Sequence, residues 1–234
     1  MRNIIIIFII HISFSCYAQK QLFVIDNSST VCATRDKDNT IGLLLNNDIY
    51  SKILNDQNET LKLKVPFFNS NIVLDLVKFN VFAADLKLYS KTEEGDAVLD
   101  LNPTTLSYKI HYEGKVIGVL NFVNNSIIAT FKLNNKQYEI TEFKTEYILF
   151  ETSNSINYSN FSCAVESALI SNNPQQIPPP NLMPSTPVCV ELAIEIDQYT
   201  RQTFSSDLQA INWALAIMAG VSQIYESETN AAIQ

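Results

Sequence analysis

The chain has 234 residues, 47% of them hydrophobic and 10% aromatic, so it can bury one or two cores and wholesale disorder is excluded. Its 24 acidic and 16 basic side chains give a formal net charge of −8, which argues against nucleic-acid and anionic-membrane partners. Five glycines, none in a Gly-rich run, leave no loop able to cradle a phosphate.

Arg2 places a positive charge ahead of an almost wholly apolar stretch at residues 3–12, and Ser13, Ser15, Cys16 and Ala18 follow as small residues at signal-peptidase spacing. Residues 1–18 therefore read as a signal peptide cleaved between Ala18 and Gln19. The apolar run is shorter than the ~18–20 residues a bilayer span requires, so no membrane span is expected. Ser13 stands where lipidated cysteines prefer an aliphatic residue, which favours export over lipidation at Cys16. The mature chain is expected to be secreted.

Residues 19–166 read as a β-rich domain. A first strand is expected at 21–26 and a short helix at 48–54. Alternation of apolar and polar residues places strands at 61–65 and 72–79. From Thr105 the pattern becomes an antiparallel meander with strands at 107–112, 116–122, 127–133, 136–141 and 145–151. Its turns fall at Glu113-Gly114, Asn124-Asn125 and Asn134-Asn135, pairs that tolerate the positive φ of two-residue hairpins. The expected fold is all-β and antiparallel, meander-like or sandwich-like.

Residues 167–187 read as a linker, because Pro174, Pro178, Pro179, Pro180, Pro184 and Pro187 lie there among Gln, Asn and Ser. Beyond it, residues 188–197 alternate large apolar with small or acidic side chains, the mark of a half-buried strand. Ser206 and Gln209 form a capping box, and Leu208, Ile211, Leu215, Met218 and Tyr225 recur at helical spacing. Asp207, Asn212, Gln223 and Glu226 mark the expected wet side. A last strand opens near residue 230, so residues 188–234 read as a β-α-β unit and the whole chain as α+β.

The segment Val-Cys-Val-Glu-Leu-Ala-Ile-Glu-Ile-Asp-Gln-Tyr from Val188, followed by Ala-Ile-Asn-Trp-Ala-Leu-Ala-Ile-Met-Ala-Gly-Val from Ala210, resembles the first strand and helix of a reprolysin-like zinc metallopeptidase, a metzincin. The run from His111 to Gly118, then Ser126 to Thr130, then Gln137 to Ile140, is similar to the pro-domain that precedes such peptidases. The resemblance implies the N-terminal portion of a secreted metalloendopeptidase zymogen, with a pro-domain that assists folding and latency. It also implies protein substrates, the chain's own peptidase domain beyond Gln234 as a partner, and zinc in the full-length enzyme. The zinc motif His-Glu-x-x-His-x-x-Gly-x-x-His is not in this chain, whose histidines are His11 and His111. No zinc binding and no peptide hydrolysis are therefore expected of these residues. The alternative reading is a secreted non-catalytic β-sandwich for binding or adhesion.

Cys32, Cys163 and Cys189 remain after signal removal. The plainer reading pairs Cys32 with Cys163, joining the two ends of the β domain, and leaves Cys189 for a cysteine of the peptidase domain; on the family resemblance Cys163 is instead a latency ligand whose thiolate fills the open zinc position. No residue reads as catalytic. His111 alone builds no zinc site, Glu191, Glu195 and Asp197 read as one solvated strand face, and Ser205 and Ser206 read as turn and cap. Trp213 reads as packing. Without a sheet of its own, the 188–234 segment is expected to trail from a folded β domain.

Overall fold

The structure is a computed structural model that describes residues 19–29, 39–143, 145–152, 188–229 and 231–233. The alternating stretches do form strands: β4 (Thr60–Phe67), β5 (Ser70–Phe79), β8 (Leu106–Tyr112), β9 (Lys115–Val123), β10 (Ser126–Leu133), β11 (Lys136–Phe143) and β12 (Glu146–Glu151); a further strand, β3 (Thr40–Leu45), was not among those expected. Each turns one row of side chains inward, as in Leu61, Leu63 and Val65 of β4 and Ile72, Leu74 and Leu76 of β5. The expected meander is present from β8 to β12, and its turns at Glu113-Gly114, Asn124-Asn125 and Asn134-Asn135 all have positive φ. A side hairpin of β6 (Tyr89–Thr92) and β7 (Gly95–Val98) carries no period-two signal and was not legible in the sequence.

Closure comes from the first described stretch. β1 (Lys20–Gln21) pairs in parallel with β4, and β2 (Phe23–Ile25) pairs antiparallel with β3. The ten-stranded order β1-β4-β5-β8-β9-β10-β11-β12-β3-β2 thus begins and ends in the same short segment, broken only at Leu22. The sheet curls into a nearly closed barrel, which leaves almost no free edge. Leu22 and Phe23 are fully buried, and the Leu22 carbonyl accepts the Asn46 N–H at 2.9 Å. Tyr108, Phe122, Phe131, Ile110 and Leu120 fill the interior with them.

Helix α1 (Asn47–Asp56) buries Ile53 in that core and sets Tyr50 5.7 Å from Phe122, ring to ring. The Asn46 side chain accepts the Ile49 N–H at 3.2 Å and caps the helix. Asn46→Ala is expected to cost about 1 kcal/mol, read as a lowered denaturant midpoint with an unchanged m-value.

The expected fold class needs three corrections. The barrel sheet is mixed, because β1 runs parallel to β4, and it is one curled sheet and not a sandwich. The expected strand at 188–197 shrinks to β13 (Val188–Val190); residues 191–197 have no regular structure, and Asp197 caps the short α2 (Gln198–Gln202). The long helix α3 (Asp207–Thr229) does not open a metzincin-type α/β domain: it lies on the outer face of the barrel. Beside it β14 (Ala231–Ile233) pairs in parallel with β13, three residues against three. The physical reason is the composition of the helix's inner face. Ala216 and Ala219 are small enough for the helix to approach β9 closely, so the barrel supplies the sheet on which the helix rests.

Candidate functional site

The seam between α3 and the barrel is the most specific arrangement of polar groups in the fold. β9 is buried on both faces: Leu120 and Phe122 point into the core, while Val119, Asn121 and Val123 lie on the other face, toward α3. Asn212 is 3% exposed, although helical spacing puts it on the wet side. Its Oδ1 accepts the Thr104 N–H at 2.9 Å and its Nδ2 donates to Thr104 Oγ1 at 3.0 Å. Thr105 Oγ1 donates to the Asn212 carbonyl at 3.0 Å. From the barrel, Asn121 Nδ2 donates to the Ala216 carbonyl at 3.2 Å, and Asn124 Nδ2 donates to the Gln209 carbonyl at 2.8 Å. Asn124 therefore makes the hairpin turn and also anchors the helix.

The middle of the seam is apolar, with Val81, Leu215 and Ala219 buried against Phe79, Phe82, Ile211 and Met218. Lys109 closes the C-terminal end by pairing with Glu226, its ammonium 5.5 Å from the centre of the Phe79 ring. The opposite face of α3 is bare: Ile217, Ile224 and Tyr225 are 44%, 48% and 50% exposed. The N-terminus follows the sequence reading, since Ser206 Oγ accepts the Gln209 N–H and Gln209 Oε1 reaches back to Ser205.

A cleft of about 330 Å³ opens at the β3–β12 end of the barrel, lined by Asp26, Leu43, Asn125, Glu142, Glu146 and Tyr147 among others. Ser28 donates to Asp26 through both its hydroxyl and its N–H, which holds that carboxyl below its usual range. Ser29 Oγ donates to Glu146 at 2.6 Å. Burial pushes the Tyr147 phenol up, and its oxygen accepts the Ile127 N–H at 3.1 Å. Among the described residues the cleft brings carboxylates together without a histidine or cysteine in its lining. Among the described residues no group of His, Cys, Asp and Glu is arranged to hold a metal.

The residues singled out from the sequence do not converge. Ala18, Cys32 and Cys163 lie outside the described residues, Gln19 begins them, and Cys189 sits in β13. His111 stands on β8 across from Asp75, which pairs with Lys62. Glu191 and Glu195 are exposed, and Asp197 spends its carboxylate on the Thr200 N–H and hydroxyl. Trp213 packs on Phe204 with ring centres 5.3 Å apart. Sequence reasoning missed Asn121, Asn124 and Asn212 as a set. The available signal was an Asn in mid-helix and another inside an apolar strand, both costly unless partnered.

No helix among the described residues is long and apolar enough to cross a membrane. No family model matches the chain, and neither the curated proteins nor the solved structures contain a significant match.

Proposed function

We propose that the chain is the pro-domain portion of an exported zinc-dependent metalloendopeptidase of the reprolysin-like type, acting in folding and latency. The observation that carries the reading is local. The three sequence pieces that resemble such a pro-domain fall on consecutive strands β8 to β11, in the expected order and joined by the expected positive-φ turns. The signal-like residues 1–18 support export. Zinc would belong to a peptidase domain: the described residues offer it no site, and no catalytic step is assigned to them. The barrel's contribution would be physical, a rigid platform that holds α3 on one face and leaves the other face open.

The direct test is the coding sequence in frame after Gln234. A His-Glu-x-x-His-x-x-Gly-x-x-His motif is expected there, and a stop codon without it overturns the reading. Purified residues 19–234 should also inhibit that peptidase when added in trans. A peptidase unaffected by a large excess of the chain would favour the alternative, a secreted binding module, for which the acidic cleft is the specific observation.

A further inference from the structure

We propose that α3 is a detachable strap: it leaves the barrel as an intact helix by opening its polar seam, while the barrel stays folded. This rests on the seam itself and not on the peptidase reading.

Three observations converge. The first is the unequal packing on the two sides of the seam. The barrel core contains Leu22, Phe23, Tyr108, Phe122 and Phe131 with many smaller apolar neighbours, whereas the seam buries the smaller set Val81, Val119, Val123, Leu215 and Ala219, with Phe79, Phe82, Ile211 and Met218 only partly buried. Of the side chains that α3 buries beside the barrel, Asn212, Ala216, Ala219 and Ser222 are small or polar and Leu215 is the large apolar one. Its Ile217, Ile224 and Tyr225 are already 44–50% exposed, so what undocking newly uncovers on the helix is the stripe of Ile211, Leu215 and Met218.

The second observation is incomplete satisfaction. Ser107 on β8 and Asn121 on β9 are register partners directly beneath the helix, both at most 3% exposed. Ser107 Oγ and Asn121 Oδ1 find no hydrogen-bond partner among the described residues. A buried polar atom left unpaired is costly, and undocking returns both atoms to water. The seam is therefore weaker than its hydrogen-bond list suggests.

The third is the independence of the barrel. Its strands close through β1 and β2, and its core draws no residue from α3. The released helix keeps its own capping box at Ser205, Ser206 and Gln209 and the pair between its Asp207 and Arg201 of the adjoining α2, so it can persist as a helix. Released, it would present an apolar surface on both faces, fit for insertion between two layers of another domain. The strap thus supplies a two-state element whose docked form the barrel stabilises.

Hydrogen–deuterium exchange on the exported chain, residues 19–234, tests this without any substitution. Peptides from 207–229 are expected to exchange at least roughly thirtyfold faster than peptides from β9 and β10, in one cooperative step. Equal protection in helix and barrel overturns the proposal. A second measurement uses Asn212→Ala, which removes the paired contacts to Thr104. It should speed exchange in 207–229 by about a further tenfold, the loss of one buried hydrogen-bonded pair, with residues 106–151 unchanged. Loss of protection across the barrel in that variant would show one indivisible unit and would equally overturn it.

Discussion

Gly118→Ala is expected to destabilise the barrel by about 3 kcal/mol or more, at the upper end of the range for overpacking a closed core. The glycine is not needed for a turn. It lies within β9, opposite Phe131 of β10, beside the irregularity at Ile110 and His111 where β8 and β9 lose register. A Cβ built there would sit 2.1 Å from the Thr130 carbonyl oxygen and 2.5 Å from the Phe131 Cα. Those are backbone atoms of the adjacent strand, so relief requires moving the β9–β10 ladder and cannot come from a side-chain rotation. Phe131 is fully buried, with its ring stacked on Tyr138 at 5.6 Å, so a shift of β10 also disturbs the aromatic group at that end of the barrel. Equilibrium urea unfolding followed by circular dichroism checks the size of the loss. A variant within about 1 kcal/mol of the parent would mean that β9 and β10 are not packed as closely as described.

The second large effect is alkaline unfolding. Burial pushes the Tyr108 phenol up to about 12 from 10.0, and the nearby Glu59 adds to this. Burial also raises Tyr50, Tyr138 and Tyr147. For each of them the folded state holds its proton more tightly than the unfolded chain does. Above pH ~10 the unfolded state loses protons that the folded state keeps, so the number bound is smaller in the unfolded state and stability falls as pH rises. The contribution is fully present below pH ~10 and, for Tyr108, is lost on the way through about 12. For Tyr108 alone the difference corresponds to roughly 2–3 kcal/mol. Its hydroxyl donates to the Asn58 carbonyl at 3.1 Å, so Tyr108→Phe should cost about 1 kcal/mol at neutral pH and flatten the alkaline decline. Parallel stability curves for parent and variant between pH 9 and 11.5 would contradict the assignment.

Much of the barrel was readable from residues because its signals are local. Period-two alternation located β4, β5 and β8 to β12 to within about two residues, and the Asn pairs fixed the hairpin turns. The short helix expected at 48–54 falls within α1. What was not readable is set by contacts distant in sequence. Lys20 and Ile25 look like any first strand, and nothing in them reveals that one half pairs in parallel with β4 and the other antiparallel with β3. The same holds for α3. Helical spacing nominated Leu208, Ile211, Leu215, Met218 and Tyr225 as the packed stripe; Ile211, Leu215 and Met218 do pack in the seam, but Asn212, Ala216 and Ala219 are buried there too, while Tyr225 is half exposed. Hydrophobicity ranks a face by its transfer energy, whereas close approach to a sheet selects by size, and an asparagine is tolerated inside when both its ends are bonded. The strand expected at 188–197 failed for a related reason. Its alternation is real, but no neighbouring strand among the described residues extends past Val190 to pair with it.

The claim on which these inferences depend most is that α3 rests on the outer face of the barrel, and one measurement reaches it directly. A water-soluble carbodiimide joins a lysine to a carboxylate only when the two are in contact. On residues 19–234 it should produce an intramolecular amide between Lys109 of β8 and Glu226 of α3, identified by peptide mass mapping of the monomer. The Lys62–Asp75 pair, within the β4–β5 hairpin, is more exposed and serves as the internal control that the coupling chemistry works. Recovery of both links is the expected result. Recovery of Lys62–Asp75 without Lys109–Glu226 would mean that the helix does not lie on the barrel.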